Sequence, residues 1–158
     1  MPSGYQLAQL NIARMKFDMD GPEMRDFNEA LDPVNASADS SPGFVWRLQD
    51  QDGNATEYHI WGDPDWLVNM SVWDSLEALK TFVRSRLHLE VMSRRREWFS
   101  QVSEAYVVLW WVPAGHRPTV DEAQARLEKL REKGPTPEAF NFARPFPPPQ
   151  DRLIDIAR

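Results

Sequence analysis

Trp73-Asp-Ser-Leu-Glu-Ala-Leu-Lys-Thr-Phe-Val-Arg-Ser-Arg-Leu-His-Leu-Glu-Val-Met-Ser-Arg-Arg-Arg-Glu-Trp-Phe99 is the stretch on which the fold of this chain turns. It follows a strand-like run, residues 67–73. Asp74, with Glu77 three places on, has the spacing of a capping box and opens a helix. The first half carries Leu76, Leu79, Phe82 and Val83 at helical spacing, the second half Leu87, Val91, Met92, Trp98 and Phe99. At about 100° per residue the second stripe is turned roughly a quarter of a circle from the first. One straight helix cannot press both stripes on a single core, so a kink or break is expected at Arg84-Ser85-Arg86. His88 and Arg95 fall inside the second stripe, seven residues apart and nearly in line. A site is to be sought there.

Length and composition set the frame. A chain of 158 residues makes one domain that buries roughly two thirds of its unfolded surface. Acids outnumber bases 24 to 18, for a net charge of -6. That argues against a nucleic-acid partner, because phosphate binding needs positive surface. The absence of cysteine leaves no disulfide, no thiol nucleophile and no thiolate metal site, and fits a cytoplasmic protein. No basic stretch with an apolar run marks a signal peptide. No run approaches the roughly 18 apolar residues of a membrane span, so no membrane partner is expected.

Outward from the central stretch, residues 5–12 read as a first strand and residues 15–21 as a loop. Pro22, Glu23 and Asp26 suit a helix start. Met24, Phe27, Ala30, Leu31 and Val34 continue that helix over residues 22–38, with Pro33 expected to kink or restart it. Residues 44–48 are a second strand, and residues 57–61 a candidate short one. Residues 67–73 are the third main strand. Residues 105–112 are the fourth, apolar on both faces. Thr119-Val-Asp-Glu122 is a capping box for a helix to about residue 133, with Gly134 at its C-cap. A proline-rich arm follows, packing through Phe140, Phe142 and Phe146.

The order is βαββαβ with an appended helix and tail, an α+β, ferredoxin-like sandwich. The expected domain covers residues 1–148, with 119–148 the appended helix and arm and 149–158 a loose C-terminal end. Helices cover one face of such a sheet. The fourth strand carries Tyr106, Val108, Trp110 and Val112 on one side and Val107, Leu109 and Trp111 on the other, so both faces call for burial. A homodimer with sheet against sheet is the simplest cover.

Six segments add a resemblance. They are Leu7-Ala-Gln-Leu-Asn-Ile12, Ser41-Pro-Gly-Phe-Val-Trp-Arg47, Ser71-Val-Trp-Asp-Ser-Leu-Glu77, the run from His88 to Phe99, Leu109-Trp-Trp-Val-Pro-Ala-Gly-His-Arg-Pro-Thr119 and Gly134-Pro-Thr-Pro-Glu-Ala-Phe140. Over about residues 5–148 the chain resembles a bacterial family of unknown function in the dimeric α/β barrel superfamily. That superfamily includes antibiotic-biosynthesis monooxygenases, small-molecule cyclases, muconolactone isomerases and haem-binding relatives of chlorite dismutase. The resemblance implies the fold and the dimer, and chemistry only site by site. It also implies that a helix histidine such as His88 faces a cavity between helices and sheet.

His88 is the candidate catalytic residue, a general base or acid near neutral pH. The competing reading is a core histidine with one hydrogen bond. Arg95 needs a carboxylate or an anionic ligand if buried; otherwise it snorkels or pairs with an acid of a partner subunit. By period two, Tyr5, Leu7, Gln9 and Asn11 share one face of the first strand, and Asn69, Ser71 and Trp73 one face of the third. Strand amides are unusual and costly to bury unpaired. They either hydrogen-bond a ligand oxygen or pair with each other. Asn11 and Asn69 are the candidate ligand-orienting residues, and Trp46 and Trp73 the candidate walls. His59 is a further candidate contact. Its spacing to Asp63, Asp65 and His116 matches no metal motif, so no metal is expected. There is no G-x-G-x-x-G, P-loop or G-x-S-x-G.

The expected function is a small-molecule enzyme without an organic cofactor, of monooxygenase, isomerase, lyase or cyclase type, acting on a small aromatic or polyketide-like ligand. The alternative is a non-catalytic small-molecule-binding protein; haem binding is a third reading.

Overall fold

The computed structural model describes residues 4–50, 53, 55–56 and 58–149. Its sheet consists of β1 (Tyr5–Arg14), β2 (Phe44–Arg47), β3 (Trp66–Trp73) and β4 (Val107–Pro113), all antiparallel, in the order β2-β3-β1-β4. This is the ferredoxin-like arrangement. A 3-10 turn at Pro22–Met24 leads into α1 (Arg25–Asp39). The stretch after β3 forms α2 (Leu76–Val83), α3 (Arg86–Ser93) and α4 (Arg95–Trp98), and α5 (Val120–Lys133) follows β4.

Two-residue alternation builds both faces. The pairings Leu10↔Met70, Ala8↔Val72, Leu10↔Val108 and Ala8↔Trp110 line up apolar side chains on one face. Ala123, Leu127 and Leu130 of α5 complete that core, and all three are buried. Thr119 caps α5 by accepting the Glu122 N–H, and Gly134 ends it at φ +73°. The Trp110 indole N–H donates to Glu122 at 2.9 Å and ties α5 to β4.

This corrects the reason given for a homodimer. The face left for a second subunit is covered by the chain's own α5, because a short connection lets the apolar stripe of that helix fold back on the sheet. The tail also packs inward. Phe140 and Leu109 exchange backbone hydrogen bonds of 2.8 and 2.9 Å, and the Trp111 indole N–H donates to the Phe146 carbonyl at 2.8 Å. The loose end expected from residue 149 onward lies, apart from Pro149, outside the described residues.

The break expected in the central stretch falls between Val83 and Arg86. Other expectations need correction. Ser75, not Asp74, caps α2, accepting the Ala78 N–H, while the Asp74 N–H is held by the Gly43 carbonyl at 2.8 Å. Gly43 has φ +83°, and a Cβ there would sit 2.5 Å from that of Ala78, so only glycine allows this approach. α1 is one continuous helix through Pro33, so the helix does not restart there. Pro33 and Glu29 are exposed, so the carbonyl that proline leaves without a helical donor is open to solvent. Of the short strand at residues 57–61, only an Ile60↔Asp63 bridge forms, and Glu57 lies outside the described residues.

Candidate functional site

The other face of the sheet looks toward α1 to α4, and its core is split in two. At one end Leu7, Trp73, Leu79, Leu109 and Phe140 pack together; at the other, Met24, Phe27, Trp98 and Phe99. Between them β1 and β3 present Gln9, Asn11, Asn69 and Ser71. Polar side chains here cannot complete an apolar core, and the helices stand off. The result is a cavity of about 330 Å³.

Its floor is a hydrogen-bonded strip. Gln9 donates to the Asn69 amide oxygen and to Ser71 Oγ, both at 2.8 Å. Asn11 Nδ2 donates to the Asn69 oxygen at 3.3 Å and to the Gln9 oxygen at 3.4 Å. The Trp73 indole N–H also donates to Ser71 Oγ, at 2.8 Å. The floor amides therefore pair with one another. Capacity remains at the open end, where the Asn69 NH₂ and the Asn11 oxygen have no partner among the described residues.

A stack of rings leads from the floor to the roof. Phe82 lies on Trp73 with centroids 5.2 Å apart, and His88 meets Phe82 edge-on at 5.2 Å. The break between α2 and α3 exposes the Val83 carbonyl, which lies 3.0 Å from His88 Nδ1. A carbonyl only accepts, so Nδ1 carries the hydrogen and Nε2 keeps a lone pair in the neutral ring. Burial lowers the His88 pKa below the ordinary 6.5, and the Val83 hydrogen bond opposes this only in part. The imidazole is neutral at pH 7 and can accept a proton.

Arg95 also lines the cavity. Its guanidinium carbon lies 4.8 Å from the centre of the Tyr106 ring, and Nη1 donates to the Tyr106 hydroxyl at 3.3 Å. It has no carboxylate partner among the described residues. Arg94 has two, Asp26 and Glu97, at 2.8 and 2.7 Å.

The structure thus brings together His88, Arg95, Asn11, Asn69 and Trp73 of the expected set. It separates two others. Trp46 packs with the core on the α5 side, not in the cavity. A bulge between Phe44 and Trp46 shifts the alternation, so Phe44 and Trp46 face opposite ways. His59 is exposed in the loop before β3, away from the cavity. Arg47 and Tyr106 are among the lining residues that were not anticipated. Arg47 enters the cavity because of the same bulge, and Asp39 holds it at 2.7 Å. Tyr106 was assigned by alternation to the face of Val108, and it does pack against that core, while its ring also reaches the cavity and Arg95. It lies just ahead of β4, where its carbonyl continues the ladder by accepting the Ile12 N–H at 3.0 Å.

A family model described as "Domain of unknown function (DUF3291)" matches residues 6–155. The chain belongs to this family. No curated protein matches it significantly in sequence. Among solved structures, the DUF3291 chain is similar to a conserved protein from Methanosarcina mazei Go1. The two are 13% identical, the TM-score is 0.50, and the match covers 70% of this chain and 93% of that one. It is also similar to a putative antibiotic biosynthesis monooxygenase from Nitrosomonas europaea, with 15% identity, TM-score 0.49, and coverage of 72% and 94%. A third is SnoaB, a cofactor-independent oxygenase from Streptomyces nogalater, with 16% identity, TM-score 0.42, and coverage of 71% and 95%. At such identities the likeness is one of fold. Among the described residues of the DUF3291 chain, no helix is long and apolar enough to cross a membrane.

Proposed function

We propose that this DUF3291 protein is a small-molecule enzyme working without an organic cofactor, with a small aromatic or polyketide-like ligand in the cavity between sheet and helices. The observation that carries this reading is the tautomer of His88. Its Nδ1–H is committed to the Val83 carbonyl, so Nε2 is the basic nitrogen, on a ring that lines the cavity. A ligand O–H or C–H next to a carbonyl would hand its proton to Nε2. The imidazolium formed keeps its Nδ1–H on Val83, and that bond strengthens as the ring becomes charged. The oxyanion left on the ligand would meet the free Asn69 amide donors and Arg95. The reaction is of monooxygenase, isomerase, lyase or cyclase type. Incubation with a panel of small phenols and polyketide-type aromatics in air, followed by mass spectrometry, is the test. His88→Ala is expected to slow product formation by about 10² to 10⁴. Turnover untouched by that change removes His88 from the chemistry.

Binding without turnover is the second reading, favoured by the mutual pairing of the floor amides. Ligand retained unchanged by wild type and His88→Ala alike would decide for it.

A further inference from the structure

We infer that the cavity is an anion site, which takes an organic acid with its carboxylate or sulfonate head on Arg95 and its apolar body against Phe82 and Trp98. This rests on the reading that the cavity binds a small molecule, and adds the charge of that molecule.

The charges around the cavity are one-sided. The chain has 24 acidic residues and 18 lysines and arginines. Yet among the described residues no aspartate or glutamate lines the cavity, while Arg47 and Arg95 do. Arg47 is neutralised by Asp39 at 2.7 Å. Arg95 is not neutralised by any described residue. The acids nearest to it in sequence, Glu97 and its neighbour in space Asp26, are held by Arg94. Among the described residues one positive charge therefore remains uncompensated in a partly desolvated space, which is costly unless an anion joins it.

The guanidinium is also pre-placed. Stacking on Tyr106 and the hydrogen bond to its hydroxyl fix the plane of the group and use one of its five N–H donors. The rest keep the fork geometry that grips two oxygens of a carboxylate or sulfonate. The free Asn69 NH₂ adds a neutral donor. At about 330 Å³ the space lies at the small end of ligand pockets.

Two fluorescent probes with one aromatic body separate charge from shape. 1-Anilinonaphthalene-8-sulfonate carries an anionic head, and N-phenyl-1-naphthylamine lacks it. Titrated into the full chain, the sulfonate is expected to bind more tightly. Arg95→Gln should weaken the sulfonate by about tenfold to a hundredfold and leave the amine unchanged. Arg95→Lys keeps the charge and should retain part of the preference, which guards against misreading a folding defect. Arg86→Gln, at a side chain 92% exposed on α3, should change neither probe. Equal affinity for the two probes, or a sulfonate indifferent to Arg95→Gln, overturns the anion site and leaves ligand binding standing. If neither probe binds, the small-molecule reading falls with it.

Discussion

His88 joins the chemistry of the cavity to the stability of the fold. Its pKa is lowered by burial, so the folded protein resists protonating a ring that the unfolded chain protonates at the ordinary 6.5. As pH falls below 6.5 the unfolded state takes up the proton first, and acid favours unfolding. Stability linked to this group is complete above 6.5 and declines as pH drops through the folded-state pKa. Urea midpoints measured from about pH 7 down to pH 5 should fall in wild type and fall less steeply in His88→Gln. An unchanged slope in the variant would mean that other groups set the acid limb. His88 was legible in the sequence because an imidazole inside an apolar helical stripe has few places to go. Asn11 and Asn69 were legible because amides interrupt strands that are otherwise apolar. Trp46 was not. It lies beside a bulge and escapes a strict period of two.

The helices after β3 show the same limit at the next scale. Two apolar stripes a quarter turn apart foretold the break between α2 and α3, since each stripe needs its own direction of burial. Which residue caps α2 was not foretold, because Asp74 and Ser75 are both good caps. The choice falls to Ser75 once the Asp74 N–H bonds to Gly43, a contact between segments far apart in sequence. The second break, at Arg94, has no glycine or proline to announce it. The two serines that open α2 and α3 should behave differently. Ser75 Oγ accepts the Ala78 N–H at 3.1 Å. Ser85 Oγ is buried and makes no hydrogen bond among the described residues. Chemical denaturation should show a loss of about 1 kcal/mol for Ser75→Ala. Ser85→Ala should be within about 0.5 kcal/mol of wild type or slightly more stable, because an unpaired hydroxyl leaves the interior. Equal losses at the two positions would mean that capping does not separate them.

For the whole molecule, the decisive element is the one that follows the βαββαβ unit. Its helix was read correctly from Thr119 to Gly134, but its place was not, since a helical stripe does not say which surface it will meet. With α5 on the sheet, the face of Leu10, Met70, Val108 and Trp110 is buried within one chain. A homodimer of this protein would then form through some other surface, and the α5–sheet contact should act on stability alone. Leu127 is fully buried, and Leu127→Ala should cost about 2 to 5 kcal/mol in chemical denaturation. Sedimentation of the still-folded variant at low micromolar concentration should give the same mass as wild type. A mass that halves with Leu127→Ala would return the partner subunit to this face, and α5 would then belong to the interface between two chains.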